Sequence, residues 1–217
     1  MKMYAILLAS MIAFASGLQK QTKKAEKVKL AVYYNSKNPE FRRFMVAQLY
    51  PTSNKIPNIL DISMVPFGDG KEIKAKSGFQ YYCTNGAEEC LENLIQACAV
   101  ATENNPEILT SFVGCLSYYD GSVDKIAKYC SNQIKDYEKV EYCLKNTQGL
   151  EVMHYMAKKT SGLQPKMSHS PWITVNGEHS EFIQQQAMEN LLQLVCSKYK
   201  GTLPYACKHD GQKKVTA

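Results

Sequence analysis

Cysteine is the residue whose type and spacing could do chemistry in this chain. There are eight, and three of them, Cys83, Cys90 and Cys98, fall within the single segment C-T-N-G-A-E-E-C-L-E-N-L-I-Q-A-C. A thiol can attack a disulfide, ligate a metal or close a structural bridge. Exchange needs one thiolate to attack and a second thiol nearby to resolve the mixed disulfide, which is the logic of C-x-x-C. No C-x-x-C occurs anywhere in the chain. Zinc sites use similarly close cysteines, or histidines about three to five residues apart. His154, His169, His179 and His209 include no such pair, so no metal and no cofactor is expected. An even number of cysteines points instead to an oxidising compartment, with Cys83, Cys90, Cys98, Cys115, Cys130, Cys143, Cys196 and Cys207 all paired.

The elements around these sulfurs restrict how they pair. Phe79, Tyr81 and Tyr82 read as a strand, Thr84-Asn85-Gly86 as a turn, and Ala87 onward as a helix with Cys90, Leu94, Ala97 and Cys98 on one face. Glu88, Glu89 and Glu92 fall mostly on other faces and favour a helix start. Cys90 and Cys98 are then roughly 12 Å apart along the axis, beyond the ~7 Å that a disulfide spans between Cα atoms. Cys196 and Cys207 flank a turn between Gly201 and Pro204, and Cys115 and Cys130 flank one at Asp120-Gly121; these are the simplest local bridges. Two arrangements remain: Cys83 with Cys90 and Cys98 with Cys143, or Cys83 with Cys98 and Cys90 with Cys143. The first is favoured, because Cys83 lies just before the helix and Cys90 about one turn into it.

The rest of the chain supplies a scaffold. Residues 1–17 read as a secretory signal, with Lys2 before an apolar run, and residues 18–27 as a basic, flexible lead-in. Val28 to Tyr34 is a β-rich run. Asn38 can cap a helix that begins at Pro39 and ends near Pro51. Ile59 to Phe67 reads as a second strand and Gly68 to Gly78 as a charged loop. A helical pattern follows from about 87 to 160, broken near 104–106, 120–121, 132–136 and 147–149. Ser170 to Gly177 is a strand entering an Asn-Gly turn, and Glu181 to Tyr199 an amphipathic helix. That order is an α/β, thioredoxin-like fold over 28–200 with a disulfide-stapled α-helical insertion. The tail, 201–217, is clipped back by Cys207.

The cysteine segment resembles a signature of the gamma-interferon-inducible lysosomal thiol reductase family, C-Q-H-G-x-x-E-C-x-x-N-x-x-x-x-C. Cys83, Gly86, Glu89, Cys90, Asn93 and Cys98 match it, while Thr84 and Asn85 replace Gln and His. Gly149 to His154 is similar to the family's G-x-x-L-M-H. Leu163-Gln164-Pro165 with Pro171 to Gly177 resembles its L-Q-P and P-W-V-T-V-N-G blocks, and Leu192 to Cys207 its terminal L-x-L-V-C…C. The resemblance implies a reductase motif at the first strand–helix junction, in a frame such as Y-Y-E-S-L-C-P-D-C-R-R-F. This chain has Y-Y-N-S-K-N-P-E-F-R-R-F, so Asn38 and Phe41 occupy the two cysteine positions. An amide and a phenyl ring can neither attack nor resolve a disulfide. No catalytic residue is therefore expected there: Asn38 reads as a helix cap and Phe41 as a packed aromatic. The resemblance also implies a cis proline at Pro171, facing the place of the redox pair. Trp172 beside it reads as core-packed.

These readings lead to a divergent secreted member of the family that works as a non-enzymatic binding protein. The alternative is a residual thiol–disulfide oxidoreductase acting through Cys83 or Cys90. The resemblance implies lysosomal delivery through glycan tags, but no N-x-S/T sequon is present, so secretion is expected. The apolar run of the leader is too short for a transmembrane helix, and no second one follows. The net charge of +6 is concentrated at the ends, in Lys20, Lys23, Lys24, Lys27 and Lys29 and in Lys208, Lys213 and Lys214. Weak attraction to acidic glycans follows from that distribution, beside an extracellular protein or cell-surface ligand that the sequence leaves unidentified. No aromatics interleave these lysines, which argues against nucleic acid.

Overall fold

A computed structural model of the chain describes residues 25–76 and 78–209. The leader, most of the basic lead-in, and Lys213 and Lys214 lie outside the described residues.

Strand β1 (Val28–Tyr34) is central. Its alternate residues Val28, Leu30, Val32 and Tyr34 are all buried, the period-two pattern of a strand with one face on the core. It pairs in parallel with β2 (Leu60–Pro66), from Val28 opposite Leu60 to Tyr34 opposite Pro66. Parallel neighbours require a crossover, and the segment from 39 to 55 provides it. Helix α1 (Pro39–Phe44) continues through a π-helical turn (Met45–Leu49) into α2 (Tyr50–Lys55). The expected end near Pro51 is thus corrected: the helix runs on to Lys55. The Tyr50 N–H bonds the Met45 carbonyl, five residues back. This wider turn puts Pro51 at the start of α2, where its missing N–H is tolerated.

A second correction concerns the charged loop at 68–78. Residues Lys71–Ala75 form β3, paired antiparallel with β4 (Gly78–Tyr82). Composition favours a loop here, but contacts made far along the chain hold the strand. Glu72 meets His154 Nδ1 at 2.8 Å, and the Phe79 ring stacks on the same imidazole with centroids 4.0 Å apart.

The helical block comprises α3 (Ala87–Thr102), α4 (Pro106–Tyr118), α5 (Val123–Cys130), α6 (Tyr137–Lys145) and α7 (Thr147–Ser161). Strand β5 (Trp172–Val175) then returns antiparallel to β1, giving the sheet order β2-β1-β5. Asn176 and Gly177, both at positive φ, turn the chain toward α8 (Glu181–Lys198), and α9 (Tyr205–His209) follows. Four disulfides staple these parts. Cys83–Cys90 closes the turn into α3, Cys98–Cys143 joins α3 to α6, Cys115–Cys130 joins α4 to α5, and Cys196–Cys207 joins α8 to α9. The fold is thioredoxin-like α/β, with α3–α7 as the stapled insertion.

Candidate functional site

The site is built where β1 hands over to α1. Asn38 has extended backbone angles (φ −66°, ψ 126°), and its Oδ1 accepts the Phe41 N–H at 3.1 Å. Pro39 occupies the first turn and Glu40 complements the helix dipole. Phe41 is fully buried, with its ring parallel to that of Tyr34 at a centroid separation of 3.7 Å.

Helix α3 closes over this junction with a polar face. Glu89, Glu92, Asn93 and Gln96 follow helical spacing, and each is at most 2% exposed. Asn93 Oδ1 accepts the Ser36 N–H at 3.0 Å, and Glu89 Oε2 accepts the Lys37 N–H at 3.2 Å. The other Glu89 oxygen accepts from Asn35 Nδ2 and from the Asn85 N–H. Backbone donors that lead into the helix are therefore already bonded within the protein.

Glu92 is the charged centre of the network. Its carboxylate lies 3.3 Å from Lys37 Nζ and 3.2 Å from Arg42 Nη2, and it accepts from Gln96 Nε2. Gln96 Oε1 in turn accepts the Tyr34 hydroxyl at 2.7 Å. Burial pushes the Glu92 pKa up and outweighs the lowering by Arg42 and Lys37. Burial, and then Glu92, drive the Tyr34 phenol well above its ordinary value. Arg42 also donates to the carbonyls of Ser36, Tyr119 and Leu116, tying the insertion to the junction.

The other wall is the loop before β5. The Ser170–Pro171 peptide bond is cis, and Ser170 Oγ accepts the Asn35 N–H at 3.0 Å. Gln184 of α8 holds this loop, donating to the Pro171 carbonyl and accepting the Ile173 N–H. Trp172 is buried and stacked on His179, with centroids 3.5 Å apart. A carbonyl only accepts, so the 2.7 Å contact with the Ile173 oxygen places the proton on His179 Nδ1. Trp172 Nε1 and His179 Nε2 have no partner among the described residues.

The sequence-predicted residues divide accordingly. Asn38 and Phe41 sit at the junction, the loop of Pro171 reaches it through Ser170 Oγ on the Asn35 N–H, and Asn93 links it to the Cys83–Cys90 bridge, with Nδ2 3.8 Å from Cys83 Sγ. Among the described residues no cysteine is free, and no group of three or more His, Cys, Asp and Glu could hold a metal. The remaining three disulfides serve the insertion and the tail. Sequence reasoning missed the buried carboxylates. Polar residues at 89, 92, 93 and 96 were a legible signal, because they repeat at i, i+3, i+4 and i+7, the spacing of an inward face. In chemical terms the arrangement holds and orients; nothing at positions 38 and 41 can attack or resolve a disulfide.

Known proteins similar to this chain in sequence point to one family. The family model for gamma interferon inducible lysosomal thiol reductase matches residues 29–148, a span that includes both the junction and the α3 cysteines. The gamma-interferon-inducible lysosomal thiol reductase of Carassius auratus is 33% identical over 225 residues, covering 94% of this chain and 82% of that protein. The similarly named reductase-like protein of Anopheles gambiae is 29% identical over 122 residues, half of each chain. A solved putative protein disulfide isomerase from Nitrosomonas europaea superposes with a TM-score of 0.48 at 11% identity, covering 72% of this chain and 87% of that one. No helix among the described residues is long and apolar enough to cross a membrane. With a family model over more than half its length and a relative at one-third identity along nearly all of it, this chain belongs to the gamma-interferon-inducible lysosomal thiol reductase family.

Proposed function

We propose that this chain is a secreted family member that binds a partner on the retained scaffold and does not exchange disulfides at the β1–α1 junction. The observation that carries the reading is the double replacement by Asn38 and Phe41. Each of the two has a structural role, since one caps α1 and the other fills the core against Tyr34. The absence of any N-x-S/T sequon supports secretion over glycan-directed delivery. The test pairs a thiol titration of the unreduced mature protein with an insulin-reduction assay. No titratable thiol and no turnover above a protein-free blank are expected. Turnover that disappears in Cys83→Ser would overturn the proposal.

One observation favours a second reading. Cys83 and Cys90 are both partly exposed, so a substrate thiolate has a path to their disulfide. Attack on one sulfur would release the other as a thiolate, and a second substrate thiol would displace the mixed disulfide, leaving the substrate oxidised and the pair reduced. Oxidation of a dithiol peptide, stoichiometric in protein and lost in Cys90→Ser, would establish it.

A further inference from the structure

Basic residues that lie far apart in the sequence meet on one face. Lys27 and Lys29, at the start of β1, and Lys198 and Lys200, at the end of α8, line one groove of about 480 Å³ together with Asn176 and Glu26. The groove is assembled by the fold. Asn176 Oδ1 accepts the Lys29 N–H at 3.0 Å, and its own N–H bonds the Lys29 carbonyl at 2.7 Å. The chain after α8 passes so close to the start of β1 that a Cβ added at Gly201 would sit 2.8 Å from that of Ala25. The Cys196–Cys207 bridge closes the loop that carries Lys198 and Lys200.

The groove carries four lysines against one carboxylate. Lys27 Nζ donates to the Pro57 carbonyl, and Lys29, Lys198 and Lys200 have no ion-pair partner among the described residues. Lys198 and Lys200 flank the C-terminal end of α8, which their charge complements, but Lys27 and Lys29 lie at the start of a strand. Glu26 is the one carboxylate in the lining. Holding like charges together costs free energy that an anionic ligand recovers.

We infer that this groove binds a sulfated polysaccharide. The lining contains no aromatic ring on which a nucleobase could stack, and no large apolar side chain to enter a bilayer. Its cations are all lysines, point charges that suit anionic groups repeated along a flexible chain. The inference takes only the extracellular setting from the proposed function, and its measurement is independent of thiol content, so either can fail alone.

The experiment measures binding of a heparin hexasaccharide to the mature protein at physiological ionic strength, beside the same oligosaccharide stripped of sulfate. Binding of the sulfated probe alone, weakening steeply with added salt, is expected. The triple variant Lys29→Ser, Lys198→Ser, Lys200→Ser should lose about tenfold or more in affinity with an unchanged unfolding midpoint. The control Lys125→Ser, Lys128→Ser, Lys135→Ser removes the same charge from the helical insertion and should stay within about twofold. Equal loss in both triples would make the effect one of net charge and overturn the site. So would equal binding of the desulfated probe, of single-stranded DNA or of anionic vesicles, or no heparin binding at all.

Discussion

The Phe41 ring lies parallel to Tyr34 within 6°, at a centroid distance of 3.7 Å, and both side chains are fully buried. Phe41 is thus part of the hydrophobic core. Replacing Phe41 by Cys should therefore cost about 2–4 kcal/mol through the cavity left beside Tyr34. Replacing Asn38 by Cys removes a cap and should cost about 1 kcal/mol. The double variant Asn38→Cys, Phe41→Cys is expected to melt lower yet show measurable insulin reduction, because Pro39 and the helix start present the two thiols at a helix N-terminus. A folded double variant with two accessible thiols and no activity would show that the facing wall no longer supports exchange.

Arg42 joins Glu92, Ser36 and the insertion in one buried cluster. Arg42→Ala leaves Glu92 with Lys37 as its remaining cation, so a loss of about 3 kcal/mol or more is expected in chemical denaturation. A loss below about 1 kcal/mol would mean that the cluster contributes no more than a surface pair.

Glu92 also sets a pH dependence. Its folded pKa is raised, so the folded protein holds that proton to higher pH than the unfolded chain does. The stabilisation linked to the proton is complete below the ordinary carboxylate pKa and is lost as pH rises through the raised value. Glu92→Gln mimics the protonated form at all pH values. The midpoint of the wild type should match that of Glu92→Gln in acid and fall below it as pH rises toward neutrality. A wild type that gains on the variant over that range would mean that attraction to Arg42 and Lys37 outweighs burial.

Gly68 adopts φ +62°, and a Cβ there would overlap Asn35 Oδ1. Gly68→Ala should destabilise by about 1–3 kcal/mol, from backbone strain and from displacing Asn35. Adding Asn35→Ala should recover part of that loss, which a double-mutant cycle reads as coupling. Strict additivity would place Asn35 outside the effect.

The four disulfides should contribute unequally. Cys98–Cys143 closes a separation of 45 residues and Cys83–Cys90 one of seven. On chain entropy alone, removing the longer bridge should cost roughly 1.5 kcal/mol more, read from unfolding of the paired Ser variants. The reverse order would mean that the turn into α3 depends on its bridge for more than loop closure.

Several features of this protein follow from the sequence by itself. Asn38-Pro39-Glu40 specifies a capped helix start because the cap bonds lie within four residues of one another. Val28 to Tyr34 specifies a central strand through its own alternation, and the rise of a helix forbids a Cys90–Cys98 bridge. That neither Asn38 nor Phe41 can attack or resolve a disulfide is a matter of residue chemistry and is plain before any folding is considered. Only the tertiary structure decided the rest. Pro51 stays helical because the π-turn at Met45–Leu49, just before it, shifts the register. Lys71 to Ala75 becomes a strand because His154 of α7 meets both Glu72 on it and Phe79 on its partner strand. Glu89 and Glu92 are buried because Asn35, Lys37 and Arg42, some fifty residues away in sequence, supply the donors that make burial tolerable. Local patterns encode what neighbouring residues do to one another; whether a charge can be buried depends on partners that only the folded chain brings within reach.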